Sequence, residues 1–231
     1  MSDQTSVSIE PIAKPVIQCC IFDLDGVIVD TAKYHYLAWK RLANSLGFDF
    51  TEADNEHLKG VSRLESLKLI LKLGSVVLDQ AAFDAALVDK NGWYLDYINK
   101  IGPEEILPGV SEFLNDVRAK GIKTALGSAS KNAVLILERI KLLDQFDVIV
   151  DGNKVVNAKP DPEVFLKAAR EIGVAPTDCL VFEDAVAGVQ AALNANMKVI
   201  GIGHENVLQH ADLVIANFQH TCIDDLVAKI S

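Results

Sequence analysis

VIQCCIFDLDG, from Val16 to Gly26, is the stretch of sequence that decides the fold of this chain. Its first part, Val16–Phe22, is a short apolar run of the kind that forms a β-strand buried on both faces of a sheet. Two acidic residues, Asp23 and Asp25, follow this run directly. Open parallel sheets bind ligands beyond the carboxyl ends of their strands. The stretch therefore predicts a buried strand and, at its end, one edge of a ligand site.

A regular alternation of apolar runs and helical patterns begins after residue 108. The apolar runs are Ile122–Leu126, Phe146–Val150, Cys179–Phe182, Val199–Ile202 and Leu213–Ile215. The helical patterns between them are Val110–Lys120, Ala133–Leu142, Pro162–Ile172 and Gly188–Ala195. This order of strands and helices predicts right-handed crossovers and a mostly parallel sheet.

Residues 31 to 107 break the alternation and indicate consecutive helices instead. The helical patterns are Tyr34–Leu46, Ser62–Leu73 and Gln80–Ile101. In the first of them an apolar face is predicted from Leu37, Ala38, Leu42 and Leu46. Because one strand precedes this block and the others follow it, we predict a helical cap inserted after the first strand.

The predicted fold class is therefore α/β, with a Rossmann-like parallel sheet as the core and an inserted all-helical cap domain. The predicted boundaries are a flexible leader at 1–15, a catalytic core formed by 16–30 and 108–231, and a cap at 31–107. Pro103 and Pro108 flank the second crossing between the two domains. We expect that crossing to act as a stiff hinge.

Charge and composition exclude several classes of function. The chain has 22 Lys plus Arg against 32 Asp plus Glu, a net charge of −10 over 231 residues. Phosphate backbones and anionic membranes require a basic surface, so we expect no nucleic-acid or membrane partner. No apolar run reaches the ~18 residues of a membrane span, and the polar N-terminus has no signal-peptide pattern.

The cysteine pattern indicates a reducing compartment. Cys19, Cys20, Cys179 and Cys222 form no CxxC motif, and two adjacent cysteines suit neither a zinc site nor a disulfide framework. We expect each to be a small buried apolar residue. The expected location is the cytoplasm, and the expected state is a monomer.

Chemically active side chains follow several of the predicted strands. Asp23 and Asp25 follow the first strand, Ser128–Asn132 follow the second, and Glu183 with Asp184 follow the strand at 179–182. Lys159 precedes a helix start. These side chains should gather at one edge of the sheet, because the carboxyl ends of parallel strands lie on the same side.

Four carboxylates at one edge repel each other unless a cation lies among them. Oxygen ligands alone favour a hard cation, and Mg²⁺ is the usual choice beside a phosphate. The absence of histidine and cysteine from the set argues against zinc. Ser128–Asn132 offers hydroxyls, an ammonium and backbone N–H groups to an anion. Metal, anion site and free carboxylate together suggest phosphoryl transfer, with Asp23 as the nucleophile and Asp25 as the acid/base.

An acid/base role for Asp25 requires a perturbed pKa. A general acid must be protonated near pH 7, whereas an ordinary Asp titrates near ~3.9, a difference of ~3 pKa units or ~4 kcal/mol. We expect Asp25 to take up its proton only in a closed, dry site.

The motifs Asp23-Leu24-Asp25-Gly26-Val27, Ser128, Lys159 and Glu183-Asp184 resemble, in order, the four motifs of the haloacid dehalogenase superfamily. Within the superfamily the chain is similar to the β-phosphoglucomutase family. This second resemblance is carried by Asp30-Thr31, His35, Trp39, the segment Leu58–Arg63, Ser66, Lys90-Asn91 and Ser128–Asn132.

The resemblance implies a role for each matching residue in the core. Asp23 would be phosphorylated, and Asp25 would be the acid/base that also offers its main-chain carbonyl to Mg²⁺. Asp184, and less directly Glu183, would complete the metal site. Ser128 and Lys159 would bind the phosphoryl group in transfer, as catalytic residues beside Asp23 and Asp25. The implied metal set is Asp23, Asp25, Glu183 and Asp184.

The resemblance also implies a set of substrate-binding residues. Arg63 on the cap, with Ser130, Lys131 and Asn132 on the core, would hold the distal phosphate of a small phosphorylated sugar. His35 and Lys90 would order the closed site, Thr31 would lie at the hinge, and Trp39 fits core packing as well as ligand contact. The full set is Thr31, His35, Trp39, Lys59, Gly60, Val61, Ser62, Arg63, Ser66, Lys90, Ala129, Ser130, Lys131 and Asn132.

The expected reaction is the interconversion of β-D-glucose 1-phosphate and glucose 6-phosphate through a 1,6-bisphosphate. Two alternatives remain open at this point. A Mg²⁺-dependent sugar-phosphate phosphatase would use the same Asp23 but admit water. A non-catalytic phospho-acceptor switch also needs an aspartate and Mg²⁺, but it has no use for a cap or for Arg63.

Overall fold

A parallel sheet forms the centre of the molecule. The structure is a computed structural model, and it describes residues 17–230. Its six parallel strands lie in the order β3-β2-β1-β4-β5-β6. The strands are β1 Cys19–Phe22, β2 Lys123–Gly127, β3 Val148–Val150, β4 Cys179–Glu183, β5 Lys198–Ile202 and β6 Leu213–Ile215. The predicted parallel α/β core is confirmed, although β1 begins at Cys19 rather than at Val16.

Strand β1 is buried on both of its faces, as its apolar run predicts. Cys20 and Phe22 pack into one apolar layer, and Cys19 and Ile21 pack into the layer on the other side. Successive side chains of a strand point to opposite faces, so the apolar run supplies both layers. In the first layer Phe22 stacks on Phe182, with ring centroids 4.7 Å apart.

Five helices cover the two faces of the sheet. They are α5 Val110–Ala119, α6 Ala133–Arg139, α7 Glu163–Ile172, α8 Val186–Asn194 and α9 Ile223–Ile230. Four of them lie within the predicted helical patterns or within two residues of them. Helix α9 was not predicted, and it packs through the buried Ile223, Leu226 and Ile230. Among residues 17–230, no helix combines the length and the apolar character that a bilayer crossing requires.

Four helices separate β1 from α5. They are α1 Ala32–Ser45, α2 Glu52–Glu56, α3 Arg63–Leu73 and α4 Gln80–Ile98. We call them the helical insertion. They enclose an apolar cluster of their own, which includes Trp39, Leu42, Phe50, Leu67 and Ile70. An inserted all-helical unit is therefore present, as the sequence predicts.

Details of the helical insertion differ from the expectation. Leu37 is 42% exposed, so the buried face of α1 is formed by Ala38, Trp39, Leu42 and Ala43 instead. Helix α4 ends at Ile98, three residues before the predicted end. The short α2 has no apolar periodicity that would predict it from the sequence. A capping box between Thr51 and Asp54 forms its N-terminus.

The two linkers to the helical insertion run side by side. Val29 and Ile106 form an antiparallel bridge, and Leu107 N donates to Ile28 O at 3.0 Å. Glu105 accepts hydrogen bonds from Lys33 Nζ at 2.5 Å and from Tyr34 at 2.6 Å. These contacts lie close to the predicted crossings, while the exact domain boundaries remain a prediction. The predicted leader at 1–15 lies outside the described residues.

Candidate active site

Two acidic residues and one lysine form a buried ionic cluster at the ends of β1 and β4. The strands are neighbours, and Asp23 N donates to Phe182 O at 3.0 Å. Lys159 Nζ lies 2.5 Å from Asp23 Oδ1 and 2.6 Å from Glu183 Oε1. All three side chains are buried, with exposed fractions of 1%, 6% and 0% for Lys159, Asp23 and Glu183. The ammonium therefore balances two carboxylates that water cannot solvate.

The ionic cluster shifts the pKa values of Lys159 and Glu183. Burial alone would lower the pKa of Lys159, but the charges of Asp23 and Glu183 hold that pKa above its ordinary value. Burial also raises the pKa of Glu183, against the opposing effect of Lys159. Glu183 Oε2 accepts a further hydrogen bond from Ala185 N at 2.8 Å. Lys159 is thus a permanently charged centre at neutral pH.

Asp184 is a carboxylate that lacks a counter-charge in direct contact. Burial, followed by the charges of Glu183 and Asp23, raises its pKa well above the ordinary value. Its side chain makes no hydrogen bond or ion pair with any described residue. A Cβ on Gly26, which has a φ of +83°, would overlap the Asp184 carboxylate, so glycine leaves the room that this side chain occupies.

The carboxylates fit a hard cation. Asp184 and Asp23 lie near enough for their charges to interact, and a cation between the two carboxylates would offset their repulsion. In the part of the chain that the structure describes, no three His, Cys, Asp or Glu residues group around one metal position. Two carboxylates supplemented by a main-chain carbonyl and by substrate phosphate oxygens are the pattern that Mg²⁺ prefers.

Asp25 faces a different environment, although it lies only two residues from Asp23. Burial is the largest cause and the charge of Asp23 the second largest cause that raise the pKa of Asp25 to about 6. The Thr31 hydroxyl donates a hydrogen bond to Asp25 Oδ1, and His35 Nε2 lies 4.0 Å from the same oxygen. The raised pKa meets most of the requirement for a general acid that works near neutral pH.

The loop after β2 is folded by its own hydroxyl groups. Ser128 is fully buried, and its Oγ accepts a hydrogen bond from Ser130 N at 3.1 Å. Ser130 Oγ accepts from Asn132 N at 3.2 Å. A main-chain hydrogen bond from the loop after β3 also stabilises this loop, because Gly152 N donates to Ser130 O at 3.1 Å. We call Ser128–Asn132 the phosphate-end loop, after the role that the sequence resemblance implies for it.

The helical insertion places a buried lysine opposite the sheet. Lys90 on α4 is 1% exposed, and its Nζ lies 2.8 Å from His35 Nδ1. The ammonium also faces the rings of Trp39 and Tyr94, at 4.4 and 4.7 Å from their centroids. Burial, and then the charge of Arg63, lowers the pKa of Lys90 well below its ordinary value. The pKa of His35 is lowered in the same way, by burial and by Lys90, so this ring is neutral at pH 7.

A cavity of about 400 Å³ lies between the sheet edge and the helical insertion. Most of the predicted site residues line it: Asp23, Asp25, His35, Trp39, Lys59, Gly60, Val61, Ser62, Arg63, Ser66, Lys90, Ala129, Ser130, Lys131, Asn132 and Asp184. Gly60 allows close approach at the boundary, since a Cβ there would lie 2.9 Å from Ala185 Cβ. Trp39 belongs to the apolar cluster of the helical insertion and also lines the cavity, so its contact with a ligand stays a prediction.

Four predicted residues support the cavity lining without being part of it. Thr31, Ser128, Lys159 and Glu183 do not line the cavity. Each is tied to a residue that does, or to a neighbour in the ionic cluster: Thr31 to Asp25, Ser128 to Ser130, and Lys159 to Asp23 and Glu183.

Sequence reasoning missed several residues that also line the cavity. Tyr94 stacks on His35 with ring centroids 4.1 Å apart. It follows Lys90 by one helical turn, and this spacing was the signal that could have identified it. Asn55 and Asn157 also face the cavity. No motif covers Asn157, which lies in the loop before Lys159.

Comparison with known proteins agrees with this geometry. The family model described as haloacid dehalogenase-like hydrolase matches residues 17–196. The chain belongs to the haloacid dehalogenase-like hydrolase family. The family resemblance of the sequence motifs is thereby confirmed.

Relatives within the haloacid dehalogenase-like family include both mutases and phosphatases. The chain is 42% identical over 201 residues to a β-phosphoglucomutase of Bacillus subtilis (strain 168), covering 86% of this chain and 89% of that protein. It is 32% identical over 191 residues to a "phosphorylated carbohydrates phosphatase" of Thermotoga maritima, covering 81% and 86%. A crystal structure of β-phosphoglucomutase from Clostridium difficile superposes with a TM-score of 0.90 at 41% identity, covering 93% of this chain and 97% of that one.

Proposed function

We propose that the protein is a β-phosphoglucomutase. It interconverts β-D-glucose 1-phosphate and glucose 6-phosphate through an aspartyl-phosphate enzyme and a 1,6-bisphosphate intermediate. The similarity to two β-phosphoglucomutases over nearly the whole chain supports this activity. The observation that carries the proposal is the shared cavity, because it brings a core carboxylate, Asp23, and a cation of the helical insertion, Arg63, to the same enclosed space.

Asp23 is the proposed nucleophile. The reaction needs its carboxylate in the charged form and in a fixed orientation. Lys159 Nζ at 2.5 Å offers a counter-charge and fixes the orientation of the Asp23 carboxylate, and the fully buried Glu183 fixes Lys159 in turn. Ser128 and Lys159 are proposed to bind the phosphoryl oxygens during transfer, where an ammonium stabilises the developing charge.

Asp25 is the proposed acid/base. It gives a proton to the leaving sugar oxygen and removes one from the attacking hydroxyl. Its raised pKa of about 6 allows both tasks near neutral pH. Thr31 holds the carboxyl group, and the neutral His35 ring lies beside it.

Mg²⁺ is the proposed cofactor, held by Asp23, Asp184 and the main-chain carbonyl of Asp25, with Glu183 in support. When bound, it neutralises negative charge on the transferring phosphoryl group. The charge of Lys59 partly opposes the raised pKa of Asp184, and both residues line the cavity.

The other end of the cavity is proposed to hold the second phosphate. Arg63, Ser130, Lys131 and Asn132 line the cavity, and an arginine binds a phosphate with two parallel hydrogen bonds. Because Arg63 belongs to the helical insertion, a bound phosphate favours closure and the exclusion of water. A bisphosphate that turns around in the cavity presents either phosphate to Asp23.

Product identity tests this proposal. The enzyme is given Mg²⁺, β-D-glucose 1-phosphate and a trace of glucose 1,6-bisphosphate, and phosphorus NMR follows the products. We expect glucose 6-phosphate, with no turnover by Asp23→Asn. Free phosphate as the main product would assign the chain to the phosphatases, an outcome that the Thermotoga relative makes worth measuring. A stable phosphoprotein without turnover would indicate a phospho-acceptor switch.

The proposal also includes a cellular compartment and an oligomeric state. Three of the four thiols are buried and none is in a disulfide among residues 17–230, in agreement with a reducing cytoplasm. Both the sheet edge and the helical insertion contribute residues to the cavity, and we propose that a monomer is active. Cys222 is only half-buried, unlike the expectation for all four cysteines.

A further inference from the structure

A side-chain hydrogen bond joins the helical insertion to the phosphate-end loop. Asn132 Nδ2 donates to Asn91 Oδ1 at 3.1 Å. Asn91 lies on α4 and Asn132 immediately precedes α6. Asn132 lines the cavity, whereas Asn91 does not. Asn91 therefore acts on any ligand only through Asn132.

The hydrogen bond fixes how Asn132 presents its amide. A primary amide has two N–H donors and one oxygen acceptor. One N–H of Asn132 is used by Asn91, and the main-chain N–H of Asn132 is used by Ser130 Oγ at 3.2 Å. With its main chain held by Ser130 and its side-chain amide held by Asn91, Asn132 keeps one orientation in the cavity wall.

Asn91 is adjacent in sequence to a residue that belongs to the acid/base part of the site. The preceding residue, Lys90, contacts His35, and His35 faces the proposed acid/base Asp25. Helix α4 thus carries adjacent residues that reach the acid/base and the phosphate-end loop. Because a helix moves as a rigid unit, the docking of α4 on the core forms the Lys90–His35 and Asn91–Asn132 contacts together.

We propose that Asn91 is a positioning residue: it couples the docking of the helical insertion on the core to the orientation of the phosphate-end loop. This coupling favours the sugar over water as phosphoryl acceptor. This inference rests on the proposed function. When the Asn91–Asn132 contact is lost, the second phosphate no longer stabilises closure fully, and water competes better for the aspartyl phosphate.

Asn99 provides a matched control on the same helix. It is the C-terminal capping residue of α4, and its Oδ1 accepts a hydrogen bond from Arg139 Nη2 of α6 at 3.0 Å. The pair Asn99–Arg139 therefore also joins α4 to α6, with the same residue type on α4, but neither residue lines the cavity. A role in the stability of the α4–α6 contact alone would make Asn91 and Asn99 equivalent.

The test compares Asn91→Ala, Asn99→Ala, Asn132→Ala and the double variant Asn91→Ala/Asn132→Ala. The readouts are the KM for β-D-glucose 1-phosphate and the ratio of free phosphate to glucose 6-phosphate. We expect Asn91→Ala to raise both about fivefold, the factor typical of one neutral hydrogen bond. Asn99→Ala should change them less than about twofold, and adding Asn91→Ala to Asn132→Ala should change them no further. Equal effects at Asn91 and Asn99, or an undiminished effect in the Asn132→Ala background, would overturn the inference.

A second measurement decides the inference independently of the reaction. If the wild-type protein forms no glucose 6-phosphate, the proposed function is refuted. Hydrogen exchange of residues 128–136 with and without glucose 6-phosphate then tests the coupling without turnover. We expect the sugar phosphate to protect this segment in the wild type and in Asn99→Ala, and to protect it less in Asn91→Ala. Equal protection in all three proteins would contradict a positioning role for Asn91.

Discussion

Replacing Lys159 with methionine removes the only positive charge in contact with Asp23 and Glu183 among residues 17–230. Methionine keeps an unbranched side chain of similar length, so the packing beside Phe165 changes little. The two carboxylates stay at the ends of β1 and β4, where at most 6% of either side chain is exposed. The variant therefore isolates the electrostatic contribution of Lys159.

The structure sets the size of the effect. At contacts of 2.5 and 2.6 Å each ion pair gives an attraction of about 6 kcal/mol for an effective dielectric constant of about 20, before the cost of desolvation. Breaking a buried pair by removing one partner typically lowers the free energy of unfolding by about 3–5 kcal/mol. We expect a loss in this range at pH 7.

Urea unfolding in EDTA measures this loss while keeping divalent metal ions out of the site. Glu183→Gln is the control, because it leaves Lys159 paired with Asp23 and should lower the free energy of unfolding by only about 1–3 kcal/mol. The double variant Lys159→Met/Glu183→Gln removes the repulsion between two unpaired carboxylates, so we expect it to be more stable than Lys159→Met. A loss below about 1 kcal/mol for Lys159→Met, or a double variant less stable than Lys159→Met, would refute a buried ionic cluster.

Three further variants test other parts of the site. Asp25→Asn should abolish sugar turnover while partly preserving phosphorylation of the enzyme by acetyl phosphate, measured by acid-quenched labelling; equal loss of both activities would contradict a separate acid/base role. Gly26→Ala should lower the free energy of unfolding by more than the roughly 1–2 kcal/mol expected for Gly47→Ala, because both glycines have φ above +80° but only a Cβ at Gly26 overlaps the Asp184 carboxylate; equal losses in urea unfolding would refute this reading. Burial alone would raise the pKa of Glu105, but hydrogen bonds from the first turn of α1 outweigh burial and hold this pKa below its ordinary value. The charged carboxylate therefore stabilises the fold above about pH 4–5, and this stabilisation is lost as pH falls through the folded-state pKa. Glu105→Gln should therefore cost about 0.5–1 kcal/mol at pH 7 and progressively less as pH falls through the folded-state pKa, and a loss that is the same at neutral and at low pH would show that packing rather than charge is responsible.

The sequence predicted the core of the site well because simple rules place its residues. Asp23 and Glu183 follow neighbouring strands, and pairing of Phe22 with Phe182 brings them together. The meeting of Asp23 and Glu183 at one edge follows from the parallel direction of these strands, whereas Lys159 lies in the loop between β3 and α7 and reaches them only through the tertiary fold. The short contact distances and the complete burial of the cluster needed the structure.

Other features could not be read from local patterns. The buried face of α1 includes Trp39 rather than Leu37, because the partners of α1 are α4 and the apolar cluster, which periodicity does not specify. Tyr94 and Asn91 gain their importance from where α4 lies in space. The short α2 and the terminal α9 gain stability from capping and from tertiary packing, which act beyond the reach of a hydrophobic pattern.

The central claim is that Asp23 carries the phosphoryl group between sugar molecules. Borohydride reduction of acid-quenched enzyme converts an aspartyl phosphate to homoserine, which peptide mass spectrometry locates. After incubation with Mg²⁺ and glucose 1,6-bisphosphate, we expect homoserine at position 23 and at no other aspartate. The modification should disappear when excess β-D-glucose 1-phosphate is added before the quench. Modification at Asp25 or Asp184 instead, or wild-type turnover by Asp23→Asn, would contradict the account.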